Sequence, residues 1–275
     1  MPAASDLSDR TSRDLTVTIL GCGGAGGVPT VSGGWGACNP TNPRNDRLRA
    51  SVLVEQGETR LLIDASPDLR AQCLINNIIT LDGVLFTHDH ADHTHGLDDL
   101  REINRVIHGP LDIWADQDTL NGLMSRYAYA FEGIPEGQPI FRPWLSPHLI
   151  TAPKAFDCAG VTITPFLQDH GFMDTLGFRI GSFAYSTDLV HLPDAAKDTL
   201  QNLDLWVVGA LTNDSNHQTH VSLDTAFEWI SELKPKRAII THMGPSLDYE
   251  AVMAKCPVGV EPAYDGLMTQ IKSAI

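Results

Sequence analysis

The sequence has no apolar run near the roughly 18 residues needed to cross a bilayer. Its opening stretch, MPAASDLSDRTSRD, lacks the apolar core of a secretory signal. The expectation is a cytoplasmic protein with no membrane partner. Cysteine is scarce: Cys22, Cys38, Cys73, Cys158 and Cys256 are odd in number and contain no CxxC pair. That spacing argues against a disulfide framework and suits reduced thiols. Positive charge is also in short supply, with 19 Lys and Arg against 34 Asp and Glu and a formal net charge of −15. A broad contact with nucleic acid needs cations to neutralise phosphates, so an extended nucleic-acid partner is not expected. A small phosphorylated substrate stays open, because bound divalent metals reverse the local field. No charge block, repeat or low-complexity linker divides the chain. Residues 1–14 are expected to form a loose tail and residues 15–275 a single domain; a homodimer is compatible with this.

What is present is a series of short apolar runs: Leu15–Leu20, Ser51–Val54, Arg60–Ile63, Gly83–Phe86, Leu111–Trp114, Val161–Phe166, Phe178–Ile180, Phe183–Tyr185, Leu205–Val208 and Ala238–Ile240. Their length and their Val, Ile, Leu and Phe content predict buried strands. Leu97, Leu100, Ile103 and Ile107 recur at helical spacing, with Asp98 and Asp99 in the favourable first turn. Leu223, Ala226, Phe227 and Ile230 do the same behind Ser222, a suitable N-cap. Strands and helices mixed throughout predict one α/β domain. The glycine-rich GCGGAGGVP at Gly21–Pro29 follows a strand, but no helical pattern follows it, so it reads as a tight turn with close backbone approach rather than a dinucleotide cradle.

The segment LFTHDHADHTHGLDD carries the chemistry. A strand ends at Thr87 and ligand-type residues follow at once. In extended chain, positions two apart point the same way, so His88 and His90 can grip one ion. A turn then brings Asp92 and His93 to a neighbouring position. Imidazole with carboxylate suits zinc, manganese, iron or nickel better than calcium or magnesium. Four residues cannot close two metal shells, and the rest are expected at other strand ends. His170 follows Ile163–Leu167, Asp188 follows Ala184–Ser186, and His242 follows Ile239–Thr241.

The order HxHxDH, then QDHG, YSTD and ITHM, resembles the metallo-β-lactamase superfamily from about residue 17 to 266. The phrases GGAGGVP, SPDLR, HADHTHGLDDLR, LKPKRAIITHM and EPAYDG resemble the branch of PhnP-like phosphodiesterases. The resemblance implies a four-layer αββα sandwich and two divalent transition-metal ions, zinc or manganese. On that basis His88, His90 and His170 would hold one ion, Asp92, His93 and His242 the other, and Asp188 would bridge them. Asp64 in LLIDAS would be structural. His220 in QTHVSLD matches a histidine that aids the leaving group, and Asp92 would also orient the nucleophile.

The expected reaction is hydrolysis of a small cyclic or nucleotide-like phosphodiester by a hydroxide bridging the metals. A carbonyl substrate (ester, thioester or lactam), tRNA processing, or a non-catalytic metal carrier are the other readings. Two departures from the branch stand out. Of a cysteine-built zinc site only Cys38 remains, with Pro245 near where its histidine would lie, so no structural zinc is expected. Gly209 replaces an acidic residue found in many relatives, and the following loop LTNDSNHQT is unlike theirs. His95 is a candidate supporting group. His108, His148, His191 and His217 lack a ligand context, while Arg70 and Arg101 are expected to pair with Asp68 and Asp98. Tyr264 and Asp265 are expected near the pocket on resemblance alone.

Overall fold

In this computed structural model, which describes residues 14–272, each predicted apolar run forms a strand. In chain order the strands are β1 (Leu15–Gly21), β2 (Ser51–Gln56), β3 (Thr59–Ile63), β4 (Gly83–Leu85), β5 (Leu111–Ala115), β6 (Leu145–Leu149), β7 (Phe156–Cys158), β8 (Val161–Asp169), β9 (Asp174–Ile180), β10 (Phe183–Ser186), β11 (Leu205–Gly209), β12 (Arg237–Thr241), β13 (Val260–Pro262) and β14 (Met268–Ile271). The tail expected at residues 1–14 lies, but for Asp14, outside the described residues.

The strands make two seven-stranded sheets, ordered β14-β1-β2-β3-β4-β5-β6 and β13-β12-β11-β10-β9-β8-β7. Side-chain alternation shows how they pack. Val17, Ile19, Val52, Val54, Leu61 and Ile63 join the same buried cluster as Ile163, Phe166 and Phe178 of the second sheet. Their neighbours Leu20, Leu53 and Leu62 point the other way, into a cluster with Leu69, Leu97, Leu100 and Ile103 from the outer helices. A first sheet buried on both faces, and a second covered by Ala226, Ile230 and Leu233 of the helix Leu223–Leu233, make an αββα sandwich. Phe178 is fully buried at the centre, so truncation to Ala is expected to cost about 3–5 kcal/mol.

Antiparallel pairing runs through β14-β1-β2-β3 and β7-β8-β9-β10, whereas β3-β4-β5-β6 and β10-β11-β12-β13 are parallel. The parallel strands release their C-terminal ends on one edge of the sandwich, the usual place for a site in such sheets. The helix Leu223–Leu233 starts where expected, with Ser222 Oγ accepting from Thr225 N at 3.2 Å. The four strands not predicted are short, interrupted or half exposed: β6 contains Pro147, β7 and β13 have three residues each, and β14 alternates exposed and buried positions. Among the described residues no helix is long and apolar enough to cross a membrane.

Candidate metal centre

Loops at the ends of β4, β8, β10 and β12 deliver the side chains singled out above. His88 and His90 follow β4, and Asp92 and His93 lie on the short helix Ala91–Thr94. His170 follows β8, Asp188 follows β10, and His242 follows β12 directly. They gather into two groups. His88, His90, His170 and Asp188 form one, and Asp92, His93, Asp188 and His242 the other, with ligand atoms in each lying within 4.8 Å of one another. Asp188 belongs to both. Its Oδ2 lies 3.7 Å from Nε2 of His88 and of His170, and its Oδ1 lies 3.2 Å from Nε2 of His93 and 3.1 Å from that of His242.

The donor set fits a pair of divalent transition ions. Nε2 of His88, His93 and His242 are buried with no hydrogen-bond partner, which is costly unless a cation takes their lone pairs. In His88, His93 and His170 the opposite ring nitrogen is occupied, as is usual for a ligating histidine. Nδ1 of His93 donates to Asp64 Oδ2 at 2.7 Å. Nδ1 of His170 donates to the Thr219 carbonyl at 2.7 Å. Nδ1 of His88 donates to Thr87 Oγ1 at 2.9 Å, and that hydroxyl donates to Asp64 Oδ2 at 2.9 Å.

Electrostatics prepare the same state. Burial would raise Asp188 and Asp92, but His242 and His93 beside Asp188, and His93 beside Asp92, hold both carboxyls well below the usual range. Burial, followed by His93, pushes His88 well below an ordinary imidazole, and burial lowers His170 as well. Ionised carboxylates and neutral imidazoles are what metal binding needs. His93 departs from this: burial would lower it, but Asp188, Asp92 and Asp64 hold its proton well above the ordinary value.

Backbone geometry adds strain here. Asp64, Asp188 and His242 have φ of 64°, 50° and 56°. A left-handed non-glycine residue costs on the order of 1–3 kcal/mol and persists where its surroundings fix it. Each follows a strand end closely and turns a side chain into the site.

His220 stands on the flank of the cluster, its Nε2 3.9 Å from Asp188 Oδ2 and its ring centroid 4.8 Å from that of His170 and 5.0 Å from that of His242. Burial first, then His242, lowers its pKa to about 3. His217, assigned no role from the sequence, is packed against His220 at 5.2 Å between ring centroids. His148 instead pairs with Asp112 at 2.9 Å and stacks on Trp114, and His95 packs on Tyr127. Arg101 pairs with Asp98 as expected, but the partner of Asp68 is Arg49 at 2.9 Å rather than Arg70. Sequence reasoning missed Thr87, adjacent to His88 and legible as a hydroxyl beside a ligand. It also missed the Thr219 carbonyl, which carries no side-chain signature.

The glycine-rich segment packs against the cluster. A Cβ on Gly24 would lie 2.5 Å from Leu211 Cδ1 and 3.5 Å from His242 Cε1, so close backbone approach is its function. Tyr264 stacks under the Arg44 guanidinium, and Asp265 accepts from Cys22 N at 3.0 Å and Leu48 N at 2.7 Å. Cys38 is buried, with Sγ 3.5 Å from the Leu247 carbonyl.

Residues 59–243 match the family model described as the Beta-lactamase superfamily domain. The crystal structure of a diphosphatase from the PhnP family is 32% identical, with a TM-score of 0.87 over 95% of this chain and 99% of that one. An octanoyltransferase of Porphyromonas gingivalis is 31% identical over 252 residues, 90% of this chain and 50% of that protein. A ribonuclease Z of Methanopyrus kandleri is 31% identical over 99 residues, 35% of this chain and 30% of that one. The chain therefore spans half or less of the curated relatives it matches. With strand-end ligands, sandwich and family match in agreement, the chain belongs to the beta-lactamase superfamily of metal-dependent hydrolases, on its PhnP-like branch.

Proposed function

We propose that this protein is a dinuclear phosphodiesterase acting on a small cyclic or nucleotide-like phosphodiester. The observation that carries the reading is the pair of ligand groups sharing Asp188, with His220 on their open flank. His88, His90 and His170 would hold one ion, Asp92, His93 and His242 the other, and Asp188 both. When bound, two such ions supply Lewis acidity and a water activated near neutral pH.

The chain's own groups do the rest. Asp92, held ionised beside His93, accepts a hydrogen bond and so orients the attacking water. Burial keeps His220 neutral at rest, and cations held by the neighbouring residues would lower its proton affinity further. It therefore assists the departing oxygen as an N–H donor rather than as an imidazolium, which refines the general-acid role. Asp64 and the Thr219 carbonyl keep the ligand nitrogens of His93 and His170 aimed inward.

The PhnP-family diphosphatase and the ribonuclease Z, by the names they bear, support phosphorus chemistry, and the net charge of −15 supports a small substrate over RNA. One observation favours carbonyl chemistry instead: the likeness to the octanoyltransferase runs over 90% of this chain. Half of that relative lies outside the likeness, so acyl transfer need not reside in the shared part. Parallel assays of the zinc- or manganese-loaded protein decide, using a chromogenic phosphodiester, a diphosphate ester, a thioester and a lactam. Turnover of phosphorus substrates alone is expected; turnover of carbonyl substrates alone would overturn the reading.

A further inference from the structure

His242 differs from its partner imidazoles in having nothing behind it. Nδ1 of His88, His93 and His170 each have a hydrogen-bond partner. Nδ1 of His242 is buried with none. Gly24, Gly209 and Leu211 stand around that ring and bring no polar side-chain atom: a Cβ on Gly24 would lie 3.6 Å from Nδ1, and one on Gly209 would lie 3.5 Å from His242 Cβ. The orientation of this ligand therefore rests on its backbone, which is left-handed at φ 56°.

The backbone is held from the segment that follows. Met243 N donates to the Cys22 carbonyl at 2.8 Å, and Gly244 N to that of Leu211 at 2.9 Å. Beyond them the chain turns its carbonyls onto Arg47. Nη1 of Arg47 donates to Gly244 O at 3.3 Å, and Nη2 donates to Leu247 O at 2.7 Å and to Asn45 Oδ1 at 3.1 Å. Arg47 is 2% exposed, and among the described residues no carboxylate pairs with it. A buried guanidinium surrounded by neutral oxygens and the Cys38 thiol, whose Sγ lies 3.9 Å from Nη1, is expensive, so its retention calls for a function that the planar fork serves. Asn45 ties the same knot from the other side, its Oδ1 also accepting from Tyr249 N at 2.8 Å.

We propose that Arg47 is a positioning residue: its buried guanidinium acts as an internal cation that clamps the 243–247 turn, and thereby sets the aim of His242 and the affinity of the Asp92–His93–His242 group for metal. The proposal rests on the two-metal reading above. It makes Arg47 do through carbonyls what Asp64 does for His93 through a ring nitrogen.

Stepwise zinc titration, followed by calorimetry and by competition with a chromophoric chelator, tests this without any turnover assay. His242→Ala first identifies which binding step belongs to its group. In Arg47→Ala that step is expected to weaken by about tenfold or more while the other is unchanged. Guanidinium chloride at low millimolar concentration should restore the step, and sodium chloride at the same ionic strength should not. Arg47→Lys, which keeps the charge but not the fork, is expected in between, and it carries the test if Arg47→Ala does not fold. A folded Arg47 variant with both steps as in the wild type overturns the proposal, as does equal weakening of both or failure of guanidinium to restore. Wild-type protein taking up fewer than two equivalents overturns the two-metal reading itself, which separates the two failures.

Discussion

The Asp64 carboxyl lies 2.7 Å from Nδ1 of His93 and also reaches His88 through the Thr87 hydroxyl. One buried acid, expected from the sequence to be merely structural, thus backs a histidine in each of the two groups that could hold a metal. Burial pushes its own pKa up, while His93 and Thr87 pull it down.

Asp64→Ala is therefore expected to weaken both metal-binding steps, by about 10–100-fold each. Competition with a chromophoric chelator measures this. Unchanged affinities in a folded variant would remove Asp64 from the site.

Metal should also tie the two sheets together, since His88 and His90 follow a strand of the first and His170, Asp188 and His242 follow strands of the second. Ligand in roughly thousandfold excess over its dissociation constant adds about 4 kcal/mol to folding stability. Thermal unfolding with zinc should show a clearly higher midpoint than with a chelator; identical midpoints would count against a site spanning both sheets.

His220→Ala should lower turnover by about 10²–10³-fold, the loss expected when one donor to developing negative charge is removed. Elemental analysis of the variant should still find wild-type metal. Loss of an ion on this substitution would make His220 a ligand and withdraw its assigned role.

Gly209→Asp should place a carboxylate near the unpartnered Nδ1 of His242. The added Cβ meets only ordinary contacts, 3.4 Å to Thr187 Cα and 3.5 Å to His242 Cβ. The metal-binding step of that group is expected to tighten by about tenfold. Weaker binding would mean that the site is closed to a side chain there.

Asp265 offers a test by pH. Burial raises its pKa to about 7, against the backbone amides of Leu48 and Cys22 that lower it. The unfolded acid ionises near 4 while the folded one keeps its proton, so this group's contribution to stability is full below pH 4 and is lost as pH rises to about 7. Urea unfolding between pH 4 and 8 should show a steeper loss in the wild type than in Asp265→Asn. Parallel curves would assign the decline elsewhere.

Much of this cluster could be read before any coordinates, because the residues it gathers obey a local rule: a short apolar strand followed closely by His or Asp. His88, His170 and His242 all follow it, and so does Asp64, although the partners of Asp64 were invisible until the strands were paired. What escaped was non-local or carried by backbone. The Thr219 carbonyl on His170 and the Gly244 and Leu247 carbonyls on Arg47 leave no mark in a string of side chains. In the fold, β6, β7, β13 and β14 were missed because strands that are short, interrupted by proline or, like β14, half exposed lack the apolar run that betrays buried ones.

The ligands enter the chain at residues 88 through 242, with β14 still to come after the last of them. Contacts so distant in sequence are made late in folding, since long loops must close first. A nascent chain still missing β12 can present its HxHxDH segment, yet it offers any passing ion an incomplete grip. On the two-metal reading, loading is thus expected to wait until the strands of both sheets have paired, because only then do all seven side chains meet.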